Sequence, residues 1–122
     1  MSQVSFLLDE HVPPLIQAQL VQMAPELQVY VIGEAITPPR GTPDPDVLIW
    51  IEVHGCMLVT NNRASMPGHL ADHLALGYHV PGIIQLPRRM NMRAILDDLW
   101  LIWAAALPDE FQDQIVHLPL RR

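Results

Sequence analysis

The chain has 122 residues, half of them hydrophobic and 16% charged, with a formal net charge of -6. That size suits one domain around one core, and the composition excludes a disordered chain. The negative balance argues against broad, unspecific binding to nucleic acid, which needs a basic field, and leaves room for a basic partner.

The first apolar run, Val4 to Leu8, reads as a buried strand because it is short and is followed by the turn signal Pro13-Pro14. Between them stand Asp9-Glu10-His11. The two prolines open a helix from about Leu15 to Met23, whose apolar face is Leu15, Ile16, Leu20 and Met23. Gln28 to Ile32 is rich in β-branched and aromatic residues and reads as a second strand closed by Gly33. A long polar connection follows, Glu34 to Pro43, of the kind that is often functional in a small domain. Asp44-Pro45-Asp46 then starts a helix that Gly55 stops. Asp44 is the expected N-cap and Pro45 the first helical position.

Cys56 to Val59 is nearly continuously apolar, as a strand buried on both faces should be, and ends in Thr60-Asn61-Asn62-Arg63. A helix from Pro67 to Leu76, a strand from Gly82 to Leu86 and a long helix from Met92 to Ala106 follow. Ile115 to Leu118 reads as an edge strand, and Arg121-Arg122 as a tail. This β-α alternation predicts a single α/β domain over residues 1–122, with a mostly parallel sheet and helices on both faces.

In a parallel sheet all strand carboxyl ends lie on one edge, where ligands bind. Asp9 and Glu10, Asn61 and Asn62, and the helix start carrying Asp44 and Asp46 all fall on that rim. Glu10 should point away from Asp9 if strand alternation persists. Singly, each of these residues is read more readily as a cap or a turn former than as a ligand. Together they make an oxygen-rich set suited to a hard cation such as Mg²⁺, which polarises a phosphate and activates a water for hydrolysis.

In order and spacing, four segments resemble the landmarks of small stand-alone PIN-like proteins, predicted nucleases distantly related to VapC. They are Leu7-Leu8-Asp9-Glu10-His11, Asp44-Pro45-Asp46-Val47-Leu48, Met57 to Arg63 and Pro81-Gly82-Ile83-Ile84. The resemblance covers nearly the whole chain and implies a three-layer α/β/α fold. It also implies a metal-dependent ribonuclease, the toxin of a type II toxin–antitoxin pair. Carried over, Asp9, Asp44 and Asp46 would hold Mg²⁺ or Mn²⁺, with Asp9, Asp46 and Asn62 forming the catalytic set. Thr60 would orient Asp9 by hydrogen bonding. His11 and Arg63 would contact RNA phosphates. The family usually has Thr-x-Asp after the third strand. Here Asn62 takes the aspartate's place, offering a carbonyl oxygen but no charge, and the usual Asp-Phe that follows is replaced by Ala64-Ser65-Met66-Pro67. That departure motivates an alternative: a PIN-like module with weak or no catalysis that binds RNA or a protein.

His69 and His73 lie four residues apart and could form a zinc pair, with His79 or His11 as a third ligand; alternatively His69 lies near the rim and, with His11 and Arg63, would contact RNA phosphates. Three tryptophans and six methionines allow an exposed apolar patch. The partners expected are RNA, a small antitoxin protein and a second copy of the chain in a homodimer. No apolar stretch reaches the ~20 residues of a membrane span, no secretion signal opens the chain, and the lone Cys56 has no disulfide partner. A cytoplasmic location is therefore expected.

Overall fold

Five strands form one sheet in a computed structural model that describes residues 4–120. They are β1 (Ser5–Leu8), β2 (Val29–Val31), β3 (Cys56–Thr60), β4 (Ile83–Gln85) and β5 (Ile115–His117). The helices are α1 (Leu15–Met23), α2 (Asp44–His54), α3 (Met66–Ala75) and α4 (Met92–Ala105). All neighbouring strands are parallel, in the order β2-β1-β3-β4-β5. The expected three-layer α/β/α architecture is what the chain adopts, with a sheet that is wholly rather than mostly parallel. The Arg121-Arg122 tail lies outside the described residues.

Side chains alternate across the sheet with the period of a strand. Phe6, Leu8, Met57, Val59 and Ile84 pack with Ile16 and Leu20 of α1 and with Ile95, Leu96, Leu99 and Ile102 of α4. Leu7, Cys56, Leu58 and Ile83 pack on the other face with Val47, Leu48 and Ile51 of α2 and Met66 and Leu70 of α3. Accordingly α1 touches α4, and α2 touches α3. All five residues of β3 are buried, which explains why its sequence shows no polar alternation.

One connection departs from the expected winding. The chain steps one way along the sheet from β1 to β2 and the other way in every later step. Crossovers of one hand would put α1 on one face and α2, α3 and α4 on the other. Instead α4 packs beside α1, so β4–α4–β5 has the opposite hand to the other three units. The reason lies in the size of the elements. The nine-residue α1 is too short to cover Met57, Val59 and Ile84 as well as β1, whereas the fourteen-residue α4 carries a long apolar face that does so. β5 is a three-residue, partly exposed edge strand, so little pairing depends on how it is reached.

The helix limits shift by a residue or so from those the sequence predicts. α3 starts at Met66 rather than Pro67, and α4 is capped by Asn91, whose side chain accepts from Ala94 N at 2.8 Å. The expected Asp44 cap is corrected. The N-cap is Pro43, no side chain caps the helix, and Asp44 is already helical. Gly55 ends α2 in the left-handed conformation, φ 69°.

Candidate functional site

The strand order reverses between β1 and β3, because β1 leads left to β2 while β3 leads right to β4. The crevice at their carboxyl ends is the topological switch point, where open α/β sheets bind ligands. Asp9 stands there. Its amide donates to Val59 O at 2.9 Å, extending the ladder one residue beyond β1. Its side chain is only 8% exposed. Oδ1 accepts from Glu10 N at 2.8 Å, and Oδ2 accepts from the fully buried Thr60 hydroxyl at 2.9 Å. No cationic side chain pairs with Asp9 among the described residues. A buried carboxylate held by two hydrogen bonds and no counter-charge has room, electrostatically, for a cation.

From Asp9 a hydrogen-bonded chain runs across the crevice. Thr60 Oγ1 also accepts from Asn62 N at 3.0 Å. The Asn62 amide Nδ2 donates to Asp44 Oδ2 and to Ser65 Oγ, each at 2.8 Å, while Ser65 N donates to Asn62 Oδ1 at 3.3 Å. His69 Nε2 lies 3.6 Å from the same Asp44 oxygen. The structure thus links Asp9, Thr60, Asn62 and Asp44, brings His69 to the same acid, as its rim reading allowed, and adds Ser65, which the sequence did not assign to this group. Asn62 turns its donor, not its carbonyl, toward Asp44, and its carbonyl is spent on a local turn. Asp44 is thus met by a neutral amide donor, which satisfies one of its oxygens but leaves its charge.

Asp46 stands apart from this network: it is exposed and makes no side-chain bond among the described residues. Of the two acids at the start of α2, Asp44 is the one that joins the rim. The expected trio of Asp9, Asp44 and Asp46 is not assembled, and among the described residues no three His, Cys, Asp or Glu side chains converge as a group that could hold a metal ion. Asp9 and Asp44 remain, and their chemistry suits Mg²⁺ or Mn²⁺ bound through two carboxylates and water rather than in a closed cage. Glu10 points elsewhere, as expected from the alternation. Its Oε1 accepts from Gly41 N at 3.0 Å and anchors the loop between β2 and α2.

His11 and Arg63 are both exposed on the same edge. The turn carrying His11 is tied to the loop after β3 by Asn61 Nδ2, which donates to His11 O at 3.1 Å. Arg63 lines a groove with Asn61, Leu86, Pro87 and Arg88. The zinc pair separates. While His69 faces Asp44, His73 is buried near the opposite edge, its Nε2 2.9 Å from Glu52 Oε1 and 3.1 Å from His79 O. There His79 Nδ1 lies 2.7 Å from Asp113 Oδ2. The hydrogen bond and the charge of Asp113 push His79 above its ordinary 6.5. Burial pushes Asp113 up, but the bonds from His79 and Val80 N outweigh it and hold this carboxyl below its ordinary 3.8.

Fold and site together define an α/β domain with a buried, uncompensated aspartate at its switch point. No protein-family model, no curated protein and no solved structure matches the chain. No helix among the described residues is long and apolar enough to cross a membrane.

Proposed function

We propose that the chain is a metal-dependent ribonuclease of PIN-like type that hydrolyses RNA phosphodiester bonds. As its resemblance to that family implies, it acts as the toxin partner of a small antitoxin protein in the cytoplasm. The observation that carries this reading is Asp9, buried at the switch point and bonded at both oxygens but paired with no cationic side chain among the described residues. Asp9 and Asp44 are the residues that would hold Mg²⁺ or Mn²⁺. Bound there, the ion would draw charge from a phosphate and lower the pKa of a water. Thr60 fixes the Asp9 rotamer by donating to Oδ2, and Asn62 fixes Asp44. His69 stands beside Asp44, its Nε2 3.6 Å from Oδ2. His11 and Arg63 are exposed toward incoming phosphates.

The test is cleavage of labelled single-stranded RNA in Mg²⁺ or Mn²⁺ against EDTA, with wild type and Asp9→Asn. Wild type should cleave only with the ion, and Asp9→Asn should lose at least about a hundredfold in rate. An intact RNA in every lane, with an unchanged cellular phenotype for Asp9→Asn, would end the enzyme reading.

A second reading is a PIN-like binding module without efficient catalysis. It is favoured by one observation: Asn62 already satisfies Asp44 at 2.8 Å, so that carboxylate needs no cation. Asn62→Asp separates the two readings. A gain in metal affinity and cleavage means the site has decayed, and a loss means the asparagine is the working residue.

A further inference from the structure

Charge on this chain is sorted between the two edges of the sheet. Segments 60–65 and 86–93, which leave the carboxyl ends of β3 and β4, hold four arginines and no carboxylate, although the whole chain carries -6. Arg93 is taken by Asp97 at 3.1 Å. Arg63, Arg88 and Arg89 are exposed and have no ion-pair partner among the described residues. The opposite edge carries Glu26, Glu52, Asp109, Glu110 and Asp113 and, among the described residues, no arginine. The acids on the carboxyl edge, Asp9, Glu10, Glu34, Asp44 and Asp46, belong to the β1, β2 and α2 side. What remains is a local positive field beside the candidate site. It is made wholly of guanidinium groups, which grip phosphate bidentately.

Two of these arginines share a concavity. Arg63 and Arg88 line a groove of about 250 Å³ with Asn61, Leu86 and Pro87. Asn61 ties this groove to the turn after Asp9 through its bond to His11 O. Adjacent strands are roughly 4.8 Å apart, so a groove between the ends of β3 and β4 lies one to two strand spacings from Asp9. That is about the reach of one nucleotide along a chain laid across the strand ends. Segments 9–14, 60–65 and 86–93 contain no Phe, Tyr or Trp, so apart from the single imidazole of His11 the edge has no ring on which a base could stack.

We propose that the Arg63–Arg88 groove seats the phosphate next to the one presented at Asp9. The protein then holds single-stranded nucleic acid by its backbone alone, without base or sugar readout. This rests on the nucleic-acid reading of the Asp9 rim and adds to it a second subsite and a substrate class. Asp9 lies on the β1 side of the groove, so a strand crosses the edge in the order β1, β3, β4.

The experiment is fluorescence anisotropy of a labelled single-stranded RNA of about 8–12 nucleotides, with wild-type protein in EDTA so that binding is read without cleavage. NaCl is varied from about 50 to 200 mM. The double variant Arg63→Ala/Arg88→Ala changes two exposed side chains and should melt like wild type. Its affinity should fall about tenfold at low salt, and its salt slope should shrink by about 1.4, or 0.7 for each phosphate no longer neutralised. Single-stranded DNA of the same length should bind equally well. An unchanged slope in the double variant, no binding at low salt, or strong preference for RNA over DNA would each overturn the proposal. So would equal binding of poly-glutamate, which would make the groove a reader of acidic peptide. Cleavage in Mn²⁺ is scored separately. Binding lost with the arginines but no cleavage anywhere leaves the groove standing and removes the ribonuclease. Cleavage with undiminished binding does the reverse.

Discussion

Asn62→Asp places a second carboxylate where the asparagine amide now donates to Asp44 Oδ2 at 2.8 Å. The substitution removes a hydrogen bond to a charged acceptor, worth roughly 1.5–3 kcal/mol. It also opposes two negative charges. At about 4 Å their repulsion lies between about 1 kcal/mol in water and about 4 kcal/mol at an effective dielectric of 20, and the Asp44 side chain, 22% exposed, sits between those limits. Protonating one member caps the cost, since keeping a carboxyl of ordinary pKa near 4 protonated at pH 7.5 takes about three and a half pK steps of 1.36 kcal/mol, about 5 kcal/mol. The expected loss at pH 7.5 without divalent ions is therefore about 3–5 kcal/mol, or about 12–20 °C in Tm for a domain of this length. Lowering the pH toward 5 should recover part of it, because one carboxyl then takes up a proton. Mn²⁺ at a hundred times its Kd should return about 2.7 kcal/mol. The assay is a thermal melt of wild type, Asn62→Asp and Asn62→Asp/Asp44→Asn in EDTA and in Mn²⁺. The double variant should lose both the destabilisation and most of the Mn²⁺ response. If Asn62→Asp melts within a degree or two of wild type in EDTA, or if Mn²⁺ shifts both equally, Asn62 does not substitute for a cation at Asp44 and the reasoning fails.

Four further outcomes are expected. Asp9→Asn should raise Tm by a few degrees in EDTA, because it removes a buried, unpaired charge while Thr60 and Glu10 N keep polar partners; a lower melting temperature would mean that the carboxylate is structural. Thr60→Val should cost about 1–3 kcal/mol in a denaturant titration, since it strips donors and acceptors from both Asp9 and the Asn62 amide; an unchanged midpoint would show the network to be idle. For Asp113→Asn the Tm difference from wild type should depend on pH. The pair's contribution is fully present below the ordinary His value of 6.5 and above the ordinary Asp value of 3.8. It fades as pH rises through the raised His79 value or falls through the lowered Asp113 value, so melts over about pH 4.5–9 should show the largest gap near pH 5–6. A flat difference would refute it. Gly82→Ala should destabilise by about 2–4 kcal/mol, since its Cβ would stand 2.7 Å from Met57 Cε and 3.1 Å from Phe111 Cβ at φ 153°; a wild-type midpoint in urea would contradict that.

The order of elements was legible because its signals are local. Short apolar runs closed by glycine or proline mark strands, and Gly55 marks the end of α2. Asp9 was legible for the same reason: a charge directly after a buried strand has few places to go. Asp44 misled, because aspartate beside proline is a strong local cap signal. In the folded chain its carboxylate is drawn instead to Asn62, eighteen residues away. Nothing in the spacing of His69 and His73 announced that one would face Asp44 and the other Glu52, because helical periodicity gives a shared face but not what each turn of that face meets.

Sequence alone determined the α/β alternation, the helices on both faces and the rim on which Asp9, Asn62 and Asp44 fall. Those follow from patterns with periods of two and 3.6 residues, which any short window contains. Tertiary structure decided which acid of Asp44 and Asp46 joins Asp9, which end of the Asn62 amide faces it, and which face α4 covers. Each of these depends on directional hydrogen bonds or on apolar area left open by elements far away in the chain, and no local pattern encodes either. The hand of β4–α4–β5 is the clearest case. α4 crosses to the α1 side because Met57, Val59 and Ile84 would otherwise lie bare.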